Sequence, residues 1–185
     1  MFTDFHQFTD QGYLLGGNTS SYSSGANDVF LTRTDGIGNV IWSKREGLAG
    51  NDYFIGNDYN QSEGTIIVAG SFKNTTRNAF VLKLDLYENV IWNKELLLPG
   101  TEFLMSIESV SDDGFIITVM TNSFDSNSDD IIFLKGDING EKEWAYVTGT
   151  NGHDKGISII KTLMDILLSM VIVIALLLST FITLA

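Results

Sequence analysis

A short acidic stretch carries the residues of this sequence best suited to bind a metal ion. Asp125, Asn127 and Asp129 offer side-chain oxygens at alternate positions. Ca²⁺ is a hard cation that takes about six to eight oxygen ligands, and calcium loops present them at this spacing. Asp130 stands where such a loop usually has glycine. The stretch is therefore a calcium candidate, and the alternative that we favour is a solvated acidic loop.

Other reactive side chains are sparse. The sequence has two histidines, His6 and His153, and no cysteine, which excludes disulfides and thiolate metal sites. No serine stands in a nucleophile-elbow motif, and no glycine-rich phosphate loop precedes a helical pattern. We therefore expect no enzyme activity and no cofactor other than the candidate calcium.

A repeat organises the sequence. Asn39–Trp42 (Asn-Val-Ile-Trp) returns as Asn89–Trp92, and a third, less similar copy ends at Trp144. An aspartate stands seven residues before each tryptophan, in the pairs Asp35 and Trp42, Asp85 and Trp92, and Asp137 and Trp144. A period of about 50 residues is typical of propeller blades and related arrays.

Residues that recur once per copy favour an architectural role. A binding site is usually built once, whereas an indole that packs between neighbouring repeats is needed in each of them. We predict that Trp42, Trp92 and Trp144 pack between repeats. The aspartates end apolar runs just before turns, where a carboxylate can accept backbone N–H groups, and we predict that they cap those turns.

Each copy holds four short runs rich in Val, Ile, Leu, Phe and Tyr, separated by Asp-Gly, Gly-Asn and similar turn pairs. This pattern predicts an all-β fold with four strands per repeat. The predicted β domain covers residues 1–162. Its repeats are placed at 12–61, 62–111 and 112–161, after a leading strand at 2–8.

The consensus of the copies resembles a known group. It reads Gly-aromatic-apolar-apolar, then Asp-x-apolar-apolar-apolar-Lys-x-Asp, then Gly-Asn-x-x-Trp. This resembles the bacterial and archaeal β-propeller repeats of the seven-bladed type. It is more distantly similar to the tryptophan-docking repeats of quinoprotein-like propellers. The resemblance covers residues 1 to about 162 and implies the fold. It implies no function, because that architecture hosts many roles, and no quinoprotein cofactor residue has a counterpart here.

Three predicted blades and one extra strand are fewer than the four to eight or so that close a propeller. Open blade edges favour self-association. We expect a fragment of a longer reading frame. The alternatives are a six-bladed ring closed by two chains and an open arc of blades.

The C-terminal segment has a different composition. Residues Ile166 to Ala185 contain no charged side chain, and thirteen of these twenty are Ile, Leu, Val or Phe. As a helix they would span about 30 Å, the thickness of a bilayer core. We therefore predict a transmembrane helix at 163–185, a single-pass membrane protein with a C-terminal anchor, and membrane lipid as a partner. The side of the membrane that carries the repeats is left open.

The net charge of −12 disfavours nucleic acid as a partner. Taken together, the sequence predicts a membrane-anchored β-propeller repeat protein that acts as a non-catalytic binding or display module for protein or glycan. The alternatives are a fragment of a larger quinoprotein-like enzyme and a truncated frame without independent function.

Overall fold

The computed structural model describes residues 2–21, 27–47, 50–73, 75–124, 128–160, 168–173 and 182–184. Within these ranges the chain forms fifteen strands joined by turns and short connections. The bounds of the first twelve strands follow, four to a sheet. Sheet I contains β1 Phe2–Gln7, β2 Tyr13–Thr19, β3 Asp28–Thr34 and β4 Val40–Glu46. Sheet II contains β5 Asn51–Asn60, β6 Thr65–Lys73, β7 Arg77–Asp85 and β8 Val90–Leu96. Sheet III contains β9 Glu102–Ser109, β10 Phe115–Thr121, β11 Asp130–Gly136 and β12 Lys142–Thr148.

Within each of these sheets, the strands lie side by side in their order along the chain, and every pairing is antiparallel. Such meanders need only tight turns between strands rich in β-branched and aromatic residues. The predicted all-β fold with four-stranded repeats of about 50 residues is confirmed, and it is consistent with blade-like repeats.

The sheets and the predicted repeats differ in phase by one strand. The repeat bounds 12–61 and 62–111 place β5 and β9 last in their copies, whereas these strands pair with β6 and β10 and begin sheets II and III. The predicted leading strand 2–8 is likewise the first strand of sheet I. A period read from a sequence gives the length of the unit but not the point at which one sheet ends.

Sheets I and II pack face to face through a buried apolar cluster. Leu14 and Leu31 of sheet I meet Leu84 of sheet II, and all three are fully buried. The ring of Phe54 lies so close to Gly16 that a Cβ there would come within 2.0 Å of it. Every second residue of a strand points to the same face of its sheet, and these residues form the interface between sheets I and II.

A second cluster joins sheets II and III. Ala69 and Val81 pack against Leu104, Phe115 and other apolar side chains of sheet III. The next strand, β13 (Asp154–Ile160), continues the pattern, because its Ile159 packs with Val110 and Ile116 of sheet III. The first strands of sheets II and III, and likewise β13, thus pack against the sheet before them.

The turn between the third and fourth strands is the same in all three sheets, but its residues differ. Gly38, Glu88 and Gly140 occupy equivalent positions with positive φ angles of 91°, 68° and 79°. Glycine adopts this left-handed conformation without strain, whereas a residue with a Cβ does so at a cost. Sheet II therefore keeps the turn with a less suitable residue.

Strands β5, β9 and β13 each carry a buried acid at their first or second residue. Asp52, Glu102 and Asp154 are each at most 2 % exposed. Glu102 Oε1 accepts hydrogen bonds from Thr121 Oγ1 (3.3 Å) and Ser123 Oγ (2.7 Å), while its Oε2 has no partner among the described residues. Burial raises the pKa of the Glu102 carboxyl, and the two hydroxyl bonds offset this only in part.

The described parts of the C-terminal segment are strands. β14 (Leu168–Val173) pairs with β13, and β15 (Ile182–Leu184) pairs with the outer edge of β12. The remainder of the predicted membrane helix at 163–185, with Ile166 and Ala185, lies outside the described residues. Within the described parts of the chain, no helix has the length and apolar character to cross a bilayer. A continuous apolar run fits a buried strand as well as a helix, so periodicity alone could not separate the two.

Candidate binding site

A polar concavity lies where the first strands of the three sheets come together. It has a volume of about 530 Å³. Each first strand contributes polar side chains to its lining: Asp4 and His6 on β1, Asn57 and Asp58 on β5, and Ser106 and Glu108 on β9.

Asp4 joins sheet I to sheet II at this concavity. Its Oδ2 accepts hydrogen bonds from the backbone N of Asn57 (3.1 Å) and from Asn57 Nδ2 (3.2 Å). Its Oδ1 accepts one from the backbone N of Phe5 at 2.9 Å. The carboxylate therefore both holds the next strand in place and adds negative charge to the concavity.

Asp58 repeats this arrangement one sheet further on. Its Oδ2 accepts from the backbone N (2.8 Å) and Oγ (2.6 Å) of Ser109. Its Oδ1 lies 3.5 Å from His6 Nδ1. Ser106 Oγ then accepts from the backbone N of Ile159 at 3.2 Å. A series of side-chain oxygens thus binds each first strand to the following one.

Asn57 adds a second feature. It lines the concavity and is 8 % exposed, and its Oδ1 has no hydrogen-bond partner among the described residues. Because Nδ2 donates to the Asp4 carboxylate, an acceptor, the amide orientation is fixed and Oδ1 is the acceptor left over. Buried polar atoms are normally hydrogen-bonded, so this oxygen is suited to a donor that enters the concavity.

The charges of the site favour a cationic group. Asp4, Asp58 and Glu108 bring three carboxylates, and among the described lining residues His6 is the one side chain that can become positive. A concave surface with one sign of charge raises the local concentration of ligands with the opposite sign. The arrangement can hold an ammonium or guanidinium group by hydrogen bonds and charge.

Two of the predicted tryptophans form the same bond between sheets. Trp42 Nε1 donates to the backbone O of Leu86 at 2.9 Å, and Trp92 Nε1 donates to the backbone O of Ile138 at 2.9 Å. Each acceptor lies in the turn that follows the third strand of the next sheet. Trp144 packs with Tyr146, with ring centroids 5.2 Å apart, and its Nε1 has no acceptor among the described residues.

The three repeated aspartates bond the backbone of their own turns. In each case Oδ1 accepts from the N–H groups two and four residues ahead, at distances between 2.8 and 3.0 Å. Hydrogen bonds with Asn39 and Asn89 lower the pKa of Asp35 and Asp85, and the backbone N–H of Glu141 does the same for Asp137.

The calcium candidate is described only in part. Asp125 and Asn127 lie outside the described residues. Asp129 Oδ2 lies 2.8 Å from His153 Nδ1, so its carboxylate already has a partner. Across the described ranges, no group of three or more His, Cys, Asp and Glu side chains lies close enough together to hold a metal ion.

Sequence reasoning placed no site at the concavity, although the repeat carries a signal for it. His6, Asp58 and Glu108 occupy one column of the aligned copies, six residues before the glycine that precedes the second strand. A polar residue that recurs at one position of the first strands is the signal for a shared polar surface. The weaker column of Asp4, Gly56 and Ser106 could not show it alone.

No protein-family model matches the chain. No curated protein sequence is significantly similar to it.

Proposed function

We propose that the chain is a non-catalytic binding module built of β-propeller-type blades, and that it takes a positively charged segment of a partner protein in the concavity. The observation that carries the proposal is the convergence of Asp4, Asp58 and Glu108 around the buried acceptor Asn57 Oδ1. A lysine or arginine side chain offers hydrogen-bond donors and a positive charge, which match these acceptors and carboxylates.

The fixed orientation of two of the carboxylates supports a binding module. Asp4 and Asp58 are held by backbone N–H groups of the neighbouring sheet, so their oxygens are fixed before any ligand arrives. A preorganised acceptor loses little conformational entropy on binding. Glu108 on β9 lines the same concavity and supplies the third carboxylate.

Titration of the full chain with a short arginine- and lysine-rich peptide at low salt tests the proposal. We expect Glu108→Gln to weaken binding about fivefold to tenfold, because it removes one charge-assisted contact. Glu95→Gln is the matched control, since it removes the same charge from the outer strand β8. An equal loss in both variants would mean that the peptide senses only the net charge of the protein, and the proposal would then be wrong.

Membrane attachment through residues 166–185 is a separate proposal. Its support is the uncharged composition of that segment. Fractionation of expressing cells followed by carbonate extraction tests it. We expect the full chain in the extracted membrane pellet, and the variant with both Val171→Asp and Ile174→Asp in the soluble fraction, because carboxylates at the centre of a span oppose insertion. A wild-type chain that carbonate releases would contradict the anchor.

A further inference from the structure

The interface between sheets II and III leaves a pocket beside the outer strands β8 and β12. It has a volume of about 240 Å³. Its walls are mainly apolar side chains of the two sheets, namely Ala79, Val81, Leu96, Phe115, Ile117 and Leu134. The pocket shares no lining residue with the acidic concavity, which lies at the first strands of the sheets.

The interface between sheets I and II is built from equivalent positions but is filled more completely. On the third strands, Val29 and Leu31 of sheet I stand six and four residues before the repeated aspartate, where sheet II has Ala79 and Val81. Val29 and Leu31 are fully buried in the cluster between sheets I and II. A recess at that interface has a volume of about 60 Å³. Sheet II therefore presents smaller side chains to its neighbour than sheet I does.

A larger aromatic residue on sheet III does not compensate for this difference. Phe115 pairs with Gly136, as Ile66 of sheet II pairs with Leu84, so the two pairs are equivalent. The ring of Phe115 lies over Gly136, where a Cβ would come within 2.3 Å of it. The ring thus takes the place of the missing leucine side chain, and the pocket beside Ala79 remains.

The rim of the pocket carries as many positive as negative side chains. They are Lys94, Glu95, Glu141 and Lys142. Lys94 Nζ donates to Glu141 Oε1 at 2.5 Å, which joins sheet II to sheet III at the rim. Balanced charge gives no preference for an ionic ligand, and apolar walls do not offer the about two to four polar partners that an ordered water needs. Size, lining and rim charge together fit a small uncharged apolar molecule.

We propose that the pocket between sheets II and III binds a small uncharged apolar ligand of about the size of a substituted benzene ring. An engineered cavity of about 150 Å³, lined by Leu, Ile and Phe in another protein, stays dry and binds benzene. Binding removes apolar surface of the ligand from water, and walls that are already packed lose little conformational freedom. This site goes beyond the proposed function, because its ligand carries no charge and does not enter the concavity.

Titration of the full chain with bromobenzene, without detergent and followed by tryptophan fluorescence, tests the proposal. Trp92 reports on the pocket because its ring centroid lies 5.8 Å from that of Phe115, and bromine quenches a nearby indole. We expect quenching that saturates in the wild type. The saturable quenching should be lost in Trp92→Phe and retained in Trp42→Phe, because Trp42 packs at the interface between sheets I and II.

An exchange of two side chains decides where the ligand binds. Ala79→Val together with Val81→Leu gives sheet II the residues that sheet I carries. This double variant should fold with equal or higher stability and bind bromobenzene at least about tenfold more weakly, because the added side chains fill the pocket. Val40→Leu is the matched control, since it adds a methylene group at a position that is 62 % exposed and should leave binding unchanged.

Three results would overturn the proposal. The first is saturable quenching that the double variant retains at full strength. The second is quenching that rises linearly with bromobenzene in the wild type, as collisions produce. The third is quenching that is equal in Trp42→Phe and Trp92→Phe, as partition into the apolar C-terminal segment produces. If the double variant does not fold, the contrast between the two tryptophan variants decides.

Discussion

Sheets I and II share one topology and one turn, but they differ at three positions on the same face of their third strands and turns. Sheet II carries Leu82, Leu84 and Leu86, which pack against sheet I. Sheet I carries Thr32, Thr34 and Gly36 at the equivalent positions.

The hydroxyls of Thr32 and Thr34 form their hydrogen bonds within sheet I. Thr32 Oγ1 lies 3.2 Å from Ser43 Oγ, and Thr34 Oγ1 accepts from the backbone N of Tyr13 at 3.3 Å. The repeated backbone therefore does not decide which face becomes an interface.

The largest expected effect comes from exchanging these residues. Leu84→Thr should lower the free energy of unfolding by about 2–5 kcal/mol, because it leaves a cavity and a hydroxyl between sheets I and II. The reverse exchange, Thr34→Leu, should cost less, about 1 kcal/mol, because it only removes the hydroxyl that accepts from the backbone N of Tyr13. Chemical denaturation followed by tryptophan fluorescence measures both. Equal losses of unfolding free energy in the two variants would show that these faces of sheets I and II contribute equally to stability.

The tryptophans allow a second comparison, between bonded and unbonded copies. Trp42→Phe and Trp92→Phe each remove an indole donor from a carbonyl of the next sheet, and each should cost about 1–2 kcal/mol of stability. Trp144→Phe removes no such bond among the described residues and should cost less. The order of the denaturation midpoints checks this, and a Trp144 variant as unstable as the others would contradict it.

Glu102 at the start of β9 and Asp154 at the start of β13 are equivalent buried acids that differ by one methylene, and the Glu102 carboxyl has a raised pKa. A raised pKa means that the folded state favours the protonated acid. Stability is therefore lost as the pH rises from the unfolded value of 4.5 through the folded value. Glu102→Gln should stabilise the protein by about 1 kcal/mol at neutral pH, and the gain should vanish well below that unfolded value.

Asp154→Asn is the control for this measurement. The Asp154 carboxylate accepts a hydrogen bond from the backbone N of Thr150 at 2.5 Å, so the amide should not stabilise the protein. Denaturation at a series of pH values gives both results. A Glu102→Gln gain that is independent of pH would exclude desolvation of the charge as its cause.

The smallest effect concerns the turn in which sheet II departs from sheet I. Glu88→Gly should stabilise the protein by roughly 0.5 kcal/mol, because relief of the positive φ outweighs the added freedom of the unfolded chain. Gly38→Glu should destabilise it by a similar amount or more. Thermal melts of the pair test the sign, and a destabilised Glu88→Gly variant would show that the Glu88 side chain has a favourable contact.

Much of the fold was readable from the sequence because its signals are local. The tryptophan and aspartate positions set the period, and turn pairs separated the strands. The phase of the sheets was not readable, since the pairing of β5 with β6 rather than β4 depends on contacts between units. The C-terminal strands were missed because an apolar run such as Leu168–Val173 carries no periodicity that excludes a helix.

The candidate site was less predictable than the fold. Asp4, His6 and Asp58 are remote in sequence or ordinary in type, and they become a site only when neighbouring first strands align. The calcium candidate stays a prediction, because Asp125 and Asn127 lie outside the described residues. Local patterns predict elements well, whereas sites depend on which elements meet.

The nearest-neighbour pairing within sheets I to III has a consequence for how such chains change length. Each sheet is a self-contained meander, and the segments between sheets, such as 97–101, are the points where the chain crosses to the next one. No strand of these three sheets pairs with a strand of another. A unit of about 50 residues can therefore be gained or lost by recombination at a crossing without altering the register of any remaining strand, and each unit can form its hairpins before the sheets stack.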